Sequence, residues 1–154
     1  MLEIEEMEST EMHALLNQVR YGHLGCSYNN HPYVVPIHYV CDANDIYFFT
    51  TEGQKTQYLS ANSEVCLQVE ELHDDSNWRS VIVIGKAELL TKEEDTEHAL
   101  KCITEANPTL TPALNNMWID AWGRATKSAI YRIQPSQISG RKTVPEGESR
   151  GPGV

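Results

Sequence analysis

The segment Phe49–Lys55 combines side chains that can hold a phosphate group. Thr50 and Thr51 end an aromatic run, a glycine-containing turn follows, and Gln54 and Lys55 begin a predicted helix. Hydroxyls and the free N–H groups of a helix N-terminus donate hydrogen bonds to phosphate oxygens, and a lysine adds positive charge. The segment lacks the G-x-x-x-x-G-K-[ST] pattern of a Walker loop. It predicts a site for a phosphate monoester, and a capped helix after a strand is the alternative interpretation.

A second candidate segment contains a proline inside a strand-like run. Pro36 has no N–H, so its strand is predicted to lie at a sheet edge or a bulge. Backbone groups left unpaired there, at Val35 and Ile37, can hydrogen-bond a planar heterocycle. His38 is the candidate ligand or proton donor, and a packed or surface histidine is the alternative.

A third candidate segment opens the longest predicted strand, which runs from residue 79 to residue 90. Trp78, Arg79 and Ser80 can stack on a ligand and hydrogen-bond to it, and Gly85 allows close backbone approach. A strand with a polar start is the alternative. Both faces of this strand are apolar at its start, which predicts burial on both sides, with a partner subunit as one cover.

The spacing of the cysteine, histidine and acidic residues predicts no metal site. No C-x-x-C pair occurs, and three of the four cysteines lie in apolar, strand-like runs, where we interpret them as reduced core thiols. The cysteines are Cys26, Cys41, Cys66 and Cys102. His73, Asp74 and Asp75 lie in a predicted polar loop, so we interpret them as solvated, and no metal is predicted.

The overall composition excludes several classes of function. The 154 residues fit one domain, and a formal net charge of -10 opposes nucleic-acid binding. Arg20 and Lys55 are the only basic residues before Trp78, against 13 acidic ones; a local ion pair would explain each of them. No run is long enough to span a bilayer, and the acidic start differs from a secretory signal, so a cytoplasmic protein is predicted.

The elements that position these segments are short strands joined by turns, with helices added. Helices are predicted over 9–19, 53–61, 91–106 and 112–122, and strands over 22–28, 31–40, 46–51, 65–71, 79–90 and 127–134. Asn29 and Asn30 are predicted to form a turn, because asparagine tolerates left-handed backbone angles. The pattern predicts a mainly β (α+β) antiparallel barrel with peripheral helices. Residues 1–142 form the predicted domain, and a mobile tail beginning near Gly140 includes residues 143–154.

Taken in order, these motifs resemble the FMN-binding split-barrel superfamily, the pyridoxamine 5'-phosphate oxidase-like proteins. The nearest branch is that of the nitroimidazole-resistance proteins. The residues that carry the resemblance are Gly22-His23-Leu24, Pro32–Pro36, Tyr47–Lys55, Ser80–Ala87 and Ser139–Lys142. The resemblance implies a six-stranded antiparallel split β-barrel and a homodimer with two FMN molecules at its interface.

The resemblance also implies roles for individual residues. The residues implied to contact the flavin through their backbone groups are Val35, Pro36, Ile37 and His38. Those implied to hold its phosphate are Thr50, Thr51, Gln54 and Lys55. Those implied to lie near its ring are Trp78, Arg79 and Ser80, and Arg141 is implied as a further contact. Two departures stand out. No histidine lies in the strand before the G-x-K turn, which disfavours nitro-drug reduction, and no arginine-rich C-terminal segment supports pyridoxamine-phosphate oxidase activity.

The predicted function is that of an FMN-dependent oxidoreductase, related to pyridoxamine 5'-phosphate oxidases, flavin reductases or nitroreductases. Its predicted partners are a second copy of the chain and a small-molecule substrate or a reductant such as NAD(P)H, without nucleic acid or membrane. A non-catalytic flavin or haem binding or sensor protein on the same barrel is the first alternative. A barrel for apolar ligands or protein interactions is the second.

Overall fold

The computed structural model describes residues 1–51, 53–106 and 128–144, with the backbone alone at Ser128. Three helices lie in this part of the chain: α1 (Ser9–Val19), α2 (Gln54–Ala61) and α3 (Glu93–Ala106). The described strands are β1 (Ile4–Glu6), β2 (Tyr21–Tyr28), β3 (His31–His38), β4 (Val40–Asp42), β5 (Asp45–Thr51), β6 (Glu64–Asp74), β7 (Asn77–Leu89) and β8 (Ser128–Thr143).

All eight strands belong to one antiparallel sheet in the order β3-β2-β6-β7-β8-β5-β4, with β1 paired to β8. β3 and β4 stand at opposite ends of this order, yet only Tyr39 separates them in the chain. The buried Tyr39 is fixed by two hydrogen bonds: its N–H donates to the Arg20 carbonyl at 3.1 Å, and its hydroxyl donates to the Leu16 carbonyl at 2.8 Å. Because the two ends of the sheet meet at one residue, the sheet curls into a barrel.

The core fills this barrel with every second side chain of its strands, as the period of a strand requires. The largest side chains with essentially no exposure are Phe48, Leu15, Leu24, Ile46, Leu67, Ile133, Val69, Val81 and Val83. The ring of Phe48 stacks on that of Tyr131 at 5.3 Å between centroids. A smaller cluster packs α3 against the barrel through Ala99 and Ile103.

The predicted fold class, a mainly β antiparallel barrel with peripheral helices, is confirmed, and the strand number is corrected from six to eight. β1 and β4 have three residues each, which is too short to show a period in the sequence. Asn29 and Asn30 adopt φ angles of 51° and 63°, so the turn predicted there is confirmed. The helix predicted over 112–122 lies outside the described residues.

The last strand is longer than predicted. β8 continues from the predicted end near residue 134 to Thr143, past a register shift beside Pro135. The segment that begins the predicted tail is held by β1, which pairs with residues 141–143, and by two further contacts. Gly140 accepts the Met7 N–H at 2.9 Å, and the Lys142 ammonium lies 2.7 Å from the Glu11 carboxylate of α1. Residues 145–154 of the predicted tail lie outside the described residues.

The cysteines differ from the prediction at one position. All four are free thiols, and Cys26 is buried, whereas Cys41 and Cys102 are half-buried and Cys66 is exposed. The prediction of a core thiol is wrong for Cys66 because its side chain points outward on β6, between two inward-facing neighbours. None of the described helices is both long and apolar enough to cross a bilayer.

Candidate functional site

The first cluster of predicted site residues lies where β5 ends and α2 begins. Thr50 is buried and donates its hydroxyl to the Thr51 carbonyl at 3.2 Å, while Thr51 itself is exposed. Gly53 is the N-cap of α2 and has no side chain to cap the first turn. No described group accepts the N–H groups of Gln54 and Lys55, since the first turn of a helix has no partner within the helix. These N–H groups are therefore available to an anion.

Lys55 lies between α2 and β2 and is half-buried. Burial lowers the pKa of its ammonium, and the nearby Cys26 sulfur partly offsets this shift. No described carboxylate lies within 4.0 Å of its ammonium. The ion pair that would have explained an isolated lysine is therefore not seen among the described residues. Lys55 is a positive charge that has lost hydration without gaining an anionic partner.

Aromatic packing fixes the helix that carries Lys55. The ring of Tyr58 contacts those of Tyr28 and Tyr33, at 6.0 and 5.5 Å between centroids. At the end of the helix, the Asn62 side-chain amide donates to the Ser27 carbonyl at 3.1 Å. These contacts fix the C-terminal half of α2 against β2 and β3, and Lys55 lies one turn before Tyr58 on the same helix.

The second group of predicted residues lies on β3, which is an edge strand of the described sheet as predicted from Pro36. Val35 and Ile37 point toward the core, so they offer the edge only their backbone groups. Pro36 and His38 point outward and are exposed. The ring of His38 lies 5.1 Å from that of Tyr21.

His38 lines a cavity of about 320 Å³ between the end of α1, β3, β5 and α3. Arg20 stands in its wall, and its guanidinium donates to the Ala106 carbonyl at 2.7 Å. Phe49 and Tyr21 line the cavity as well. The sequence singled out Arg20 as an isolated cation but did not connect it with His38, although the β2–β3 hairpin pairs Tyr21, the next residue, with His38.

The third group lies on the outer face of β7 and β8. Trp78, Ser80 and Ile82 share one face of β7, and Ser80 is the register partner of Arg141. Together they line a cavity of about 470 Å³. Ser80 accepts a hydrogen bond from the Gln68 side-chain amide at 3.1 Å. Arg141 is exposed and has no described carboxylate partner.

Arg79 does not join this group. It lies on the other face of β7, and its guanidinium is 2.9 Å from the Glu71 carboxylate. Arg79 and then His73 lower the pKa of Glu71 through hydrogen bonds. The structure therefore places Arg79 in an ion-pair cluster near the β6–β7 turn, away from Trp78 and Ser80.

Gly85 also serves a different purpose from the predicted one. A Cβ at this position would lie 2.3 Å from the Gln134 carbonyl oxygen. The close approach that glycine allows is therefore to the backbone of β8, at the register shift between Ile84 and Gly85. A ligand is not needed to explain this glycine.

The predicted residues thus form separate clusters within one chain. His38 lines one cavity of the described chain, whereas Trp78, Ser80 and Arg141 line another. The outer face of β7 beside Trp78 carries two more apolar side chains, since Ile82 and Ile84 are 42% and 40% exposed. The sequence predicts that both faces of β7 are buried, but in the single chain its outer face is exposed.

A curled antiparallel sheet, an edge strand broken by proline and a lysine just past an aromatic strand together define a split-barrel protein of the oxidase-like class. The chain belongs to the pyridoxamine 5'-phosphate oxidase family, which it matches over residues 8–142. The resemblance derived from the sequence motifs is therefore confirmed at the level of the family.

Individual relatives agree with this assignment. An FAD-binding protein of Mesorhizobium loti shares 27% identity at a TM-score of 0.73, covering 94% of this chain and 100% of that one. A candidate 5-nitroimidazole antibiotic resistance protein of Bacteroides thetaiotaomicron shares the fold at a TM-score of 0.72 and 18% identity, covering 93% of this chain and 89% of that one. An uncharacterized protein of Rhizobium meliloti is 35% identical over 75 residues, which are 49% of this chain, and the chain spans about half the length of that relative.

Proposed function

We propose that the chain is an FMN-binding flavoprotein whose flavin lies between two identical subunits. The observation that carries this proposal is Lys55, a half-buried cation with no described carboxylate partner at the N-terminus of α2, where Thr56 caps only the Gly53 N–H. A phosphate group supplies what this arrangement lacks, because it accepts hydrogen bonds from the helix N–H groups and the Lys55 ammonium together. The exposed hydroxyl of Thr51 is a further donor at the same end of β5.

The second subunit follows from the separation of the clusters. A flavin is longer than its phosphate, and its ring needs apolar surface and polar groups beyond the end of β5. Trp78, Ser80 and Arg141 offer these on a face of the barrel that also exposes Ile82 and Ile84. Two copies that cover this face with each other would bury its apolar side chains, as homodimer interfaces do. Each site would then take its phosphate end from one subunit and part of its ring surface from the other.

FMN is proposed over FAD because the Lys55 cluster is built for one terminal phosphate. The FAD-binding protein of Mesorhizobium loti, at 27% identity, favours FAD as the second candidate. The two are distinguished by mass spectrometry of the flavin released on denaturation, which also separates them from a deazaflavin. Release of FAD in stoichiometric amount would identify FAD, instead of FMN, as the bound flavin.

The proposed activity is electron transfer to a small molecule, for which bound FMN supplies hydride or single-electron chemistry. The protein's own part is to hold the phosphate with Lys55, to bond the ring from the β3 edge and Ser80, and to control access. His38 and Arg20 line a cavity between the end of β3 and α3, and they are the proposed contacts of the substrate or of NAD(P)H. A positive Arg20 offsets the net charge of -10 for an anionic reactant there.

The decisive experiment is the visible absorption spectrum of purified protein, followed by anaerobic addition of NADH or NADPH. We expect the two bands of oxidised flavin and their bleaching by one of the reductants. A yellow protein that neither reductant bleaches would favour the alternative, a flavin carrier or sensor. A haem spectrum would favour the haem-binding alternative, and a colourless protein that also fails to bind added FMN would refute the proposal.

A further inference from the structure

Three side chains that offer different metal-ligand atoms converge on the surface between β4 and α3. Asp42 ends β4, while His98 and Cys102 are four residues apart and therefore share one face of α3. The ligand atoms of the three lie within 4.8 Å of one another. His98 Nε2 is 2.6 Å from Asp42 Oδ2 and 3.7 Å from Cys102 Sγ.

The geometry differs from that of a nucleophilic relay. In a Cys-His-Asp relay the carboxylate and the thiol contact different nitrogens of the imidazole, so that one orients the ring and the other passes its proton. Here Asp42 and Cys102 both approach Nε2 of His98. Three ligand atoms that converge on one point are the arrangement that a single cation needs.

The backbone positions of the three residues are held by packing. α3 is docked through Ala99 and Ile103, which are buried against Val40 of β4 and its neighbours. The ring of His98 also meets that of Tyr47 edge-on, at 6.1 Å between centroids. The side chains themselves remain reachable from solvent, since His98 and Asp42 are 52% and 46% exposed.

We propose that Asp42, His98 and Cys102 bind a divalent transition-metal ion, with Zn²⁺ as the best match, and that water or a small ligand completes the tetrahedron. One thiolate, one imidazole and one carboxylate are ligands that zinc accepts, whereas Ca²⁺ and Mg²⁺ take oxygen ligands. Tetrahedral zinc places such ligand atoms about 3.4–3.6 Å apart. The present distances bracket this range, so rotation of two exposed side chains is enough to admit the ion.

The charges around the site support a cation. The carboxylates of Asp42 and Glu105 both act on the Cys102 sulfur, so negative charge surrounds the proposed ligand atoms. Glu105 lies three residues beyond Cys102 on α3, close enough to act as an outer neighbour of the ion.

The test uses Co²⁺, which reports tetrahedral thiolate coordination in its absorption. Full-length protein, stripped with a chelator, is titrated with Co²⁺ in difference spectra and then with Zn²⁺. We expect one equivalent per chain, a thiolate-to-metal charge-transfer band with intense visible bands, and loss of both on adding Zn²⁺. Cys102→Ser should lose the charge-transfer band, and the matched variant Cys66→Ser, which removes an exposed thiol on β6, should keep it.

A second measurement needs no variant. Zn²⁺ should slow alkylation of Cys102 in the native wild-type protein while leaving Cys66 unchanged, as read by peptide mass spectrometry. The proposal is overturned if saturating Co²⁺ gives no charge-transfer band, if Cys102→Ser retains it, or if Zn²⁺ protects the two thiols equally. None of these outcomes depends on flavin binding.

Discussion

Replacing Lys55 with methionine tests the phosphate cluster most directly, because the side chain keeps its unbranched apolar stem and loses the charged ammonium with its donors. A hydrogen bond to a charged group contributes about 1.5–3 kcal/mol. Since about 1.4 kcal/mol changes a dissociation constant tenfold, Lys55→Met should weaken FMN binding roughly 10- to 150-fold. Fluorescence quenching of FMN titrated with flavin-free protein measures the constant.

Two controls isolate the phosphate. Riboflavin lacks the phosphate, so Lys55→Met should leave its affinity unchanged. Lys86→Met makes the same change in net charge at a lysine that is 71% exposed and 3.8 Å from Glu64, and it should leave FMN affinity unchanged. Equal weakening of FMN and riboflavin, or an effect of Lys86→Met as large as that of Lys55→Met, would refute a Lys55–phosphate contact.

The thermal stability of the Lys55→Met variant is a second, independent test of the role of Lys55. Burial lowers the pKa of Lys55, so the charged lysine destabilises the flavin-free fold at neutral pH, and this effect fades as the pH rises toward the ordinary lysine value of 10.5. Lys55→Met should therefore melt at no lower temperature than the wild type at neutral pH. Its Tm relative to the wild type should decline as the pH rises. A large loss of Tm at neutral pH would show that Lys55 has a structural role instead.

Three further predictions concern the frame around the site. Gly85→Ala places a Cβ against a backbone carbonyl of β8 and should cost about 1–3 kcal/mol in urea unfolding. A Cβ at Gly53 meets nothing within 4 Å, so Gly53→Ala should cost only the N-cap preference for glycine over alanine, below about 1 kcal/mol; equal effects would contradict the close approach. Ile84→Lys should give a folded monomer by sedimentation that binds little flavin, and a monomer with full flavin occupancy would refute the shared site. Arg79 lowers the pKa of Glu71, so this pair stabilises the fold above about pH 4.5 and stops doing so as the pH falls through the folded-state pKa; the Tm values of wild type and Glu71→Gln should converge in acid, and a constant difference would oppose this.

The sequence predicted the elements whose side chains repeat with a clear period. α1 ends at the predicted residue, Val19, and the strands around the barrel alternate as expected. β1 and β4 were missed because three residues carry no period. The continuation of β8 was missed because Pro135 and Gly140 are typical of loops, whereas here they lie in a strand that pairs with β7 throughout this stretch.

The site was predictable in its residue types more than in its geometry. Lys55 and the hydroxyls before it were found because strand, turn and helix follow each other in sequence. Alternation along β7 already separates Arg79 from Trp78 and Ser80, and that signal could have corrected their grouping. The spacing of His98 and Cys102 is likewise visible in the sequence, but their approach to β4 depends on how α3 docks, which no local pattern encodes.

The position of β8 in the sheet bears on how the chain is made. This strand pairs with β7, β5 and β1, so it joins the two halves of the sheet although it is the last strand described. During translation the earlier hairpins emerge with their inward apolar faces and strand edges still uncovered. The barrel can close only after Thr143 has left the ribosome, and a nascent chain stalled before β8 is the form on which chaperones would act.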